Sequence, residues 1–96
     1  MTAKALKEFL LFVREFVPES MRGFLSLVAN AIGALDLPPG DPKLGKLIDV
    51  TVALVRDLRR IGEARDTAIA DRLRLVAENR FVRAWSKLGL PELRPE

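Results

Sequence analysis

The chain has 96 residues, a formal charge of +3 and 49% hydrophobic residues, which is one domain's worth of sequence with a thin core to fill. It contains no Cys and no His. That composition excludes disulfides, thiolate nucleophiles, zinc sites built on Cys or His, and imidazole acid–base chemistry. The charge is uneven: residues 1–40 carry four Lys/Arg and four Asp/Glu, whereas residues 41–96 carry twelve and nine.

The first predicted helix runs from Ala3 to Val17. Leu6, Phe9, Leu10, Val13, Phe16 and Val17 recur at three- and four-residue steps and predict one buried stripe, leaving Leu11 and Phe12 off it. The run Phe9–Val13 is too short to span a membrane and lacks the small-residue cleavage site of a signal peptide, so no membrane insertion is expected. Pro18 ends this helix or opens the next. A second helix over 19–35 places Phe24, Leu25, Leu27, Val28, Ala31, Ile32 and Leu35 around most of its circumference, as a central helix does. Gly23 and Gly33 offer room for close helix contacts.

Asp36-Leu37-Pro38-Pro39-Gly40-Asp41-Pro42 reads as a loop, with Asp41 as an N-cap and Pro42 in the first helical turn. The third helix, 43–64, has a regular stripe of Leu44, Leu47, Ile48, Thr51, Leu54, Val55, Leu58 and Ile61; Val50 and Val52 fall off it. Asp66 fits the N-cap of a fourth helix starting at Thr67. That helix opens with Ile69, Leu73 and Val76, but an unbroken continuation would put Arg80 and Arg83 on the same apolar face. The apolar positions shift to Ala77, Phe81, Ala84, Trp85 and Leu88, which predicts a break near Glu78-Asn79 and a short fifth helix ending at Leu88. Gly89-Leu90-Pro91 is a stop signal. The expected fold is therefore all-α, an antiparallel bundle of four to five helices over residues 1–90 with a frayed tail over 91–96.

Two basic clusters and one apolar set are the candidate functional residues. Arg56, Arg59 and Arg60 share the outward face of the third helix, with Arg65 beyond. They read either as a phosphate-contacting patch, since guanidinium is planar and bidentate toward phosphate, or as a solvated face partly neutralised by Asp57 and Glu63. Arg72, Arg74, Arg80 and Arg83 interleave with Phe81 and Trp85, which suits either base stacking or a core in which the rings are simply buried. Leu11, Phe12, Val50 and Val52 are either covered on several sides or form a partner or dimer surface, a two-fold dimer being the commonest closed form. Asp66 and Asp71 sit beside arginines and fit capping and surface ion pairing rather than acid–base work. Together with scattered glycines and no metal-ligand set, these features predict a chain that is not an enzyme and needs no cofactor or metal. The lack of Cys is compatible with a cytoplasmic location.

Two stretches are similar to a known family. Thr2-Ala3-Lys4-Ala5-Leu6, continuing to Val13-Arg14-Glu15, is similar to a Thr-Pro-x-Ala-Leu segment followed by an apolar helix and Val-Arg-Glu. Leu58-Arg59 and Arg65-Asp66-Thr67-Ala68-Ile69-Ala70-Asp71-Arg72-Leu73-Arg74 resemble Leu-Arg and then Lys-Asp-aromatic-x-x-Ala-Asp-x-Ile-Arg, and Ala34-Leu35-Asp36-Leu37 stands where that family has Leu-Gly-Leu. Over residues 2–74 the chain thus resembles the helical domain, of the DALR type, that follows the catalytic core in cysteinyl-tRNA synthetases. Ala3 replaces the family's Pro, Ile61-Gly62 its Ala-Arg, and the helical pattern after Arg74 its extended segment. The resemblance implies a tRNA-binding or RNA-binding helical module without aminoacylation. The alternative is a protein-interaction or self-associating module with no nucleic-acid role.

Overall fold

The computed structural model describes residues 1–93. It is all-α: α1 (Ala3–Val13), a 3₁₀ turn (Arg14–Phe16), α2 (Glu19–Gly33), α3 (Pro42–Glu63) and α4 (Thr67–Lys87). Three of the helix starts carry side-chain caps. Thr2 Oγ1 accepts from the Ala5 amide at 3.0 Å, Asp41 Oδ1 from Lys43 at 2.8 Å, and Asp66 Oδ1 from Ala68 at 2.8 Å and Ile69 at 3.2 Å. The caps expected at Asp41 and Asp66 are thus in place.

The first helix is shorter than its apolar pattern suggests. The α-helix gives way at Arg14 to a 3₁₀ turn, and Val17 is extended at φ −105°, ψ 158°. Pro18 explains this, because its ring disfavours helical geometry at the preceding residue. Phe16 lies outside the buried arc because steps of three and four residues place it with Phe9 and Phe12, to one side of Leu6, Leu10 and Val17.

The helices form two hairpins, α1 with α2 and α3 with α4. Leu6 and Leu10 of α1 and Met21, Leu25, Val28, Ala29 and Ile32 of α2 are buried. From the expected α3 stripe Leu44, Leu47, Thr51, Leu54, Leu58 and Ile61 are buried, and Ile48 and Val55 are half-buried at its edge. The Thr51 hydroxyl donates to the Leu47 carbonyl at 2.8 Å, which satisfies the one buried polar side chain of that stripe. An edge-on contact of Phe24 with Phe81, ring centroids 5.9 Å apart, links the hairpins. At Gly33 a Cβ would meet only the Lys7 side chain, 2.7 Å from its Cδ, which can swing aside, so no close approach of the two helices requires glycine there.

The predicted break near Glu78-Asn79 does not occur; α4 is a single helix through Lys87. Its inward face is Ala70, Arg74, Ala77, Phe81 and Trp85, at four- and three-residue steps along the whole helix. Small alanines let α4 approach α3, so the larger Ile69, Leu73 and Val76 are left exposed. On this face Arg74 donates through Nη1 to Glu78 Oε2 at 3.1 Å, while its Nε, 3.9 Å from Asp71 Oδ1, is buried without a hydrogen-bond partner among the described residues. Trp85, 1% exposed, lies 6.0 Å from Phe81 between ring centroids. Its indole N–H donates to the Pro91 carbonyl at 2.6 Å, and Leu93 rests against the core. Of the tail expected to fray, residues 94–96 lie outside the described residues.

Candidate interaction surfaces

Burial divides the candidate residues in a way their spacing alone did not. Leu11 and Val50 are half-buried and lean on the core, whereas Phe12 and Val52 are exposed. Phe12 has company: Phe9 and Phe16, expected in the core, are exposed with it. The exposures are 39%, 63% and 73% for Phe9, Phe12 and Phe16, and the last two rings meet edge-on at 5.0 Å. The three phenylalanines stand at steps of three and four, so they form one outward stripe along α1 and its 3₁₀ turn. Glu8 stands next to Phe9 at the N-terminal end of the stripe and Glu15 and Glu19 at its Phe16 end, all three exposed. Cations stand among them: Arg14 pairs with Glu15 at 3.8 Å while donating to Ser26 Oγ at 3.0 Å, Lys7 lies against Gly33, and Lys4 and Arg22 are exposed.

A second surface lies on the other hairpin. Between α3 and α4 a cleft of about 140 Å³ is lined by Val50, Ala53, Ala77, Phe81 and Ala84, with Asp57 and Arg80 on its edge. Arg80 also lines the two clefts that continue it. One reaches Arg60, Leu73 and Val76; the other reaches Arg83 and Lys87. The result is a shallow groove with an apolar floor and a rim of Arg60, Arg80, Arg83 and Lys87 against the single carboxylate of Asp57. Arg80 donates to Asp57 at 3.3 Å, yet its side chain stays 62% exposed, so the pair leaves the guanidinium available to a visitor.

The six arginines singled out for RNA contact do not converge on one site. Arg74 is turned towards the hairpin, half-buried, and pairs with Glu78 at 3.1 Å and Asp71 at 3.9 Å. Arg59 is exposed and paired with Glu63 at 3.4 Å. Arg60 lines the groove. Arg56, Arg65 and Arg72 are exposed and have no ion-pair partner among the described residues. Phe81 and Trp85, considered for base stacking, are buried. Arg80 and Arg83 belong to the groove; in the sequence they look like an interruption of an apolar face, and only the alanine register of α4 shows why they point outward.

Among the described residues no group of three or more Asp and Glu side chains is placed to hold a metal ion, and no helix is long and apolar enough to cross a membrane. The chain matches no protein-family model, no curated protein and no solved structure.

Proposed function

We propose that this chain is a non-catalytic protein-interaction module that associates through its exposed apolar helix faces, with itself as one partner. The observation that carries the reading is the Phe9, Phe12 and Phe16 stripe. Three large rings aligned on one face of a small domain keep apolar area in water that association would remove, at about 25 cal/mol per Å². Aromatic side chains are also the residues most enriched at the centres of protein interfaces. The cysteine-free composition goes with a cytoplasmic location.

The test is light scattering across a concentration series, on the wild-type chain and on Phe12→Ser/Phe16→Ser. Mass above the monomer for the wild type, and its loss in the variant, is the expected result. A wild-type chain that stays monomeric throughout contradicts self-association.

A second reading has its own support. Arg56, Arg60, Arg65 and Arg72 are exposed basic groups, and residues 2–74 resemble a domain from tRNA synthetases. In that reading Arg56, Arg59 and Arg60 contact a phosphate backbone. Three contacts give a log–log salt slope of roughly −2 to −3, at about −0.7 to −0.9 per phosphate. A tRNA titration at several salt concentrations, with wild type and a triple Arg→Glu variant at these positions, decides it: equal binding by both ends the RNA reading.

A further inference from the structure

We infer that the α3–α4 groove is a binding site for a small anionic amphiphile, a molecule with an apolar end of about six carbon atoms and a carboxylate or phosphate head. The inference is independent of self-association and of RNA contact. The groove has two parts of opposite character. The part between the helices, about 140 Å³, is walled by Val50, Ala53, Leu54, Phe81 and Ala84. An apolar cavity of about 150 Å³ accepts a benzene ring, so this part takes a ring or a short alkyl chain of similar size. It opens along α4 into a cleft of about 480 Å³, within the size range of ligand sites, lined by Val76, Asn79, Arg83 and Lys87. Arg80 and Ala84 line both parts, so a chain in the first delivers its head to the second.

The second cleft gathers three cations and has no carboxylate among its lining side chains. Arg80, Arg83 and Lys87 stand three and four residues apart on α4, where like charges oppose helix formation. The helix dipole favours Lys87 in the last turn, but Arg80 and Arg83 precede that turn. The acids of α4 are held elsewhere, Asp71 and Glu78 both pairing with Arg74. Asp57 reaches Arg80 at 3.3 Å and leaves that side chain 62% exposed. Arg83 and Lys87 have no ion-pair partner among the described residues. An oxyanion seated among these groups relieves their repulsion, accepts paired guanidinium hydrogen bonds and finds a neutral donor in the Asn79 amide. A purely apolar ligand would leave the cations unanswered, and a bare inorganic anion would leave the apolar walls in water. The groove as a whole therefore selects a molecule that has both ends.

The test is a titration of isotope-labelled chain with octanoate and with octyl phosphate, below their micelle-forming concentrations, followed by amide correlation spectra. Both should bind and shift the resonances of Val50 to Asp57 and Val76 to Lys87. Octanol, which lacks the charge, and inorganic phosphate, which lacks the chain, should each bind at least about tenfold more weakly. Arg83→Gln/Lys87→Gln removes two exposed cations and should weaken octyl phosphate about tenfold while leaving octanol unchanged. Ala53→Leu fills the apolar end from an exposed position and should weaken both amphiphiles about tenfold while leaving inorganic phosphate unchanged. Both variants should keep the wild-type circular dichroism; Lys87→Gln alone replaces the first, and Ala53→Met the second, if they do not. Octanol as tight as octanoate overturns the inference in favour of a bare apolar patch, and inorganic phosphate as tight as octyl phosphate does so in favour of a bare anion site. Shifts that appear only with micelles or anionic vesicles, no shift at millimolar ligand, or binding that survives both variants overturn it as well.

Discussion

Ile69→Lys and Leu58→Ala together test how α4 lies on α3. Ile69 is 55% exposed, and Leu58 is 4% exposed. Lysine at position 69 keeps an aliphatic stem over the same surface, sends its charge to water and has a better helix propensity than isoleucine. Fully burying an isoleucine is worth about 1.5–3 kcal/mol, and Ile69 buries under half of its surface, so the change in stability should stay below about 1 kcal/mol. Leu58→Ala leaves a cavity between the helices of the hairpin and should lose about 2–5 kcal/mol. Urea denaturation followed by far-ultraviolet circular dichroism measures both. For a domain of this size 1 kcal/mol moves the melting temperature by about 4–8 °C, so the two variants separate clearly in a thermal scan. If Ile69 were in the core, an unpaired ammonium there would unfold much of the protein. A loss of about 3 kcal/mol or more for Ile69→Lys would refute the register of α4.

Trp85→Ala should destabilise by about 3–5 kcal/mol, as a large truncation at a fully buried ring. Trp85→Phe should lose less, about 1–2 kcal/mol, much of it from the carbonyl of Pro91 left without its indole donor; the same urea titration checks both. Asp66→Ala removes the acceptor for the Ala68 and Ile69 amides and should lower stability by about 0.5–2 kcal/mol, with amide exchange accelerated at the start of α4. Gly89→Ala forces a side chain onto a backbone at φ 72° and should lower stability by about 1–2 kcal/mol in a thermal scan.

The third helix was the most legible part of the sequence, because Leu44 to Ile61 carry a single stripe of large residues and both ends have conventional signals. The fourth is hard to read from its sequence, for a physical reason. Large apolar residues suggest a core face, yet on α4 the close approach of two helices selects Ala70 and Ala77 and leaves Ile69, Leu73 and Val76 outside. An arginine on the inner face, Arg74, further disguises the register; its Nη1 pairs with Glu78 while its Nε is buried without a hydrogen-bond partner among the described residues. In α1 the apolar spacing was right as far as Leu10. Phe9 and Phe16 lie at the margin of that spacing, outside the narrow arc of Leu6 and Leu10 that α2 covers. The alignment of Phe12 with Phe9 and Phe16 is legible in their steps of three and four; what is not legible is how narrow an arc α2 covers. The groove was invisible for the same reason as the α4 register: Arg80 and Arg83 border an apolar floor only when the alanines face inward.

Two-dimensional amide correlation spectra of isotope-labelled protein, recorded over a dilution series, test the interaction surfaces most directly. Dilution should shift the resonances of Phe9 to Phe16, with the arginine face at Arg56 and Arg59 unmoved. Spectra that do not change with concentration, or shifts that gather on the Arg56–Arg59 face instead, would contradict an interaction module built on the stripe.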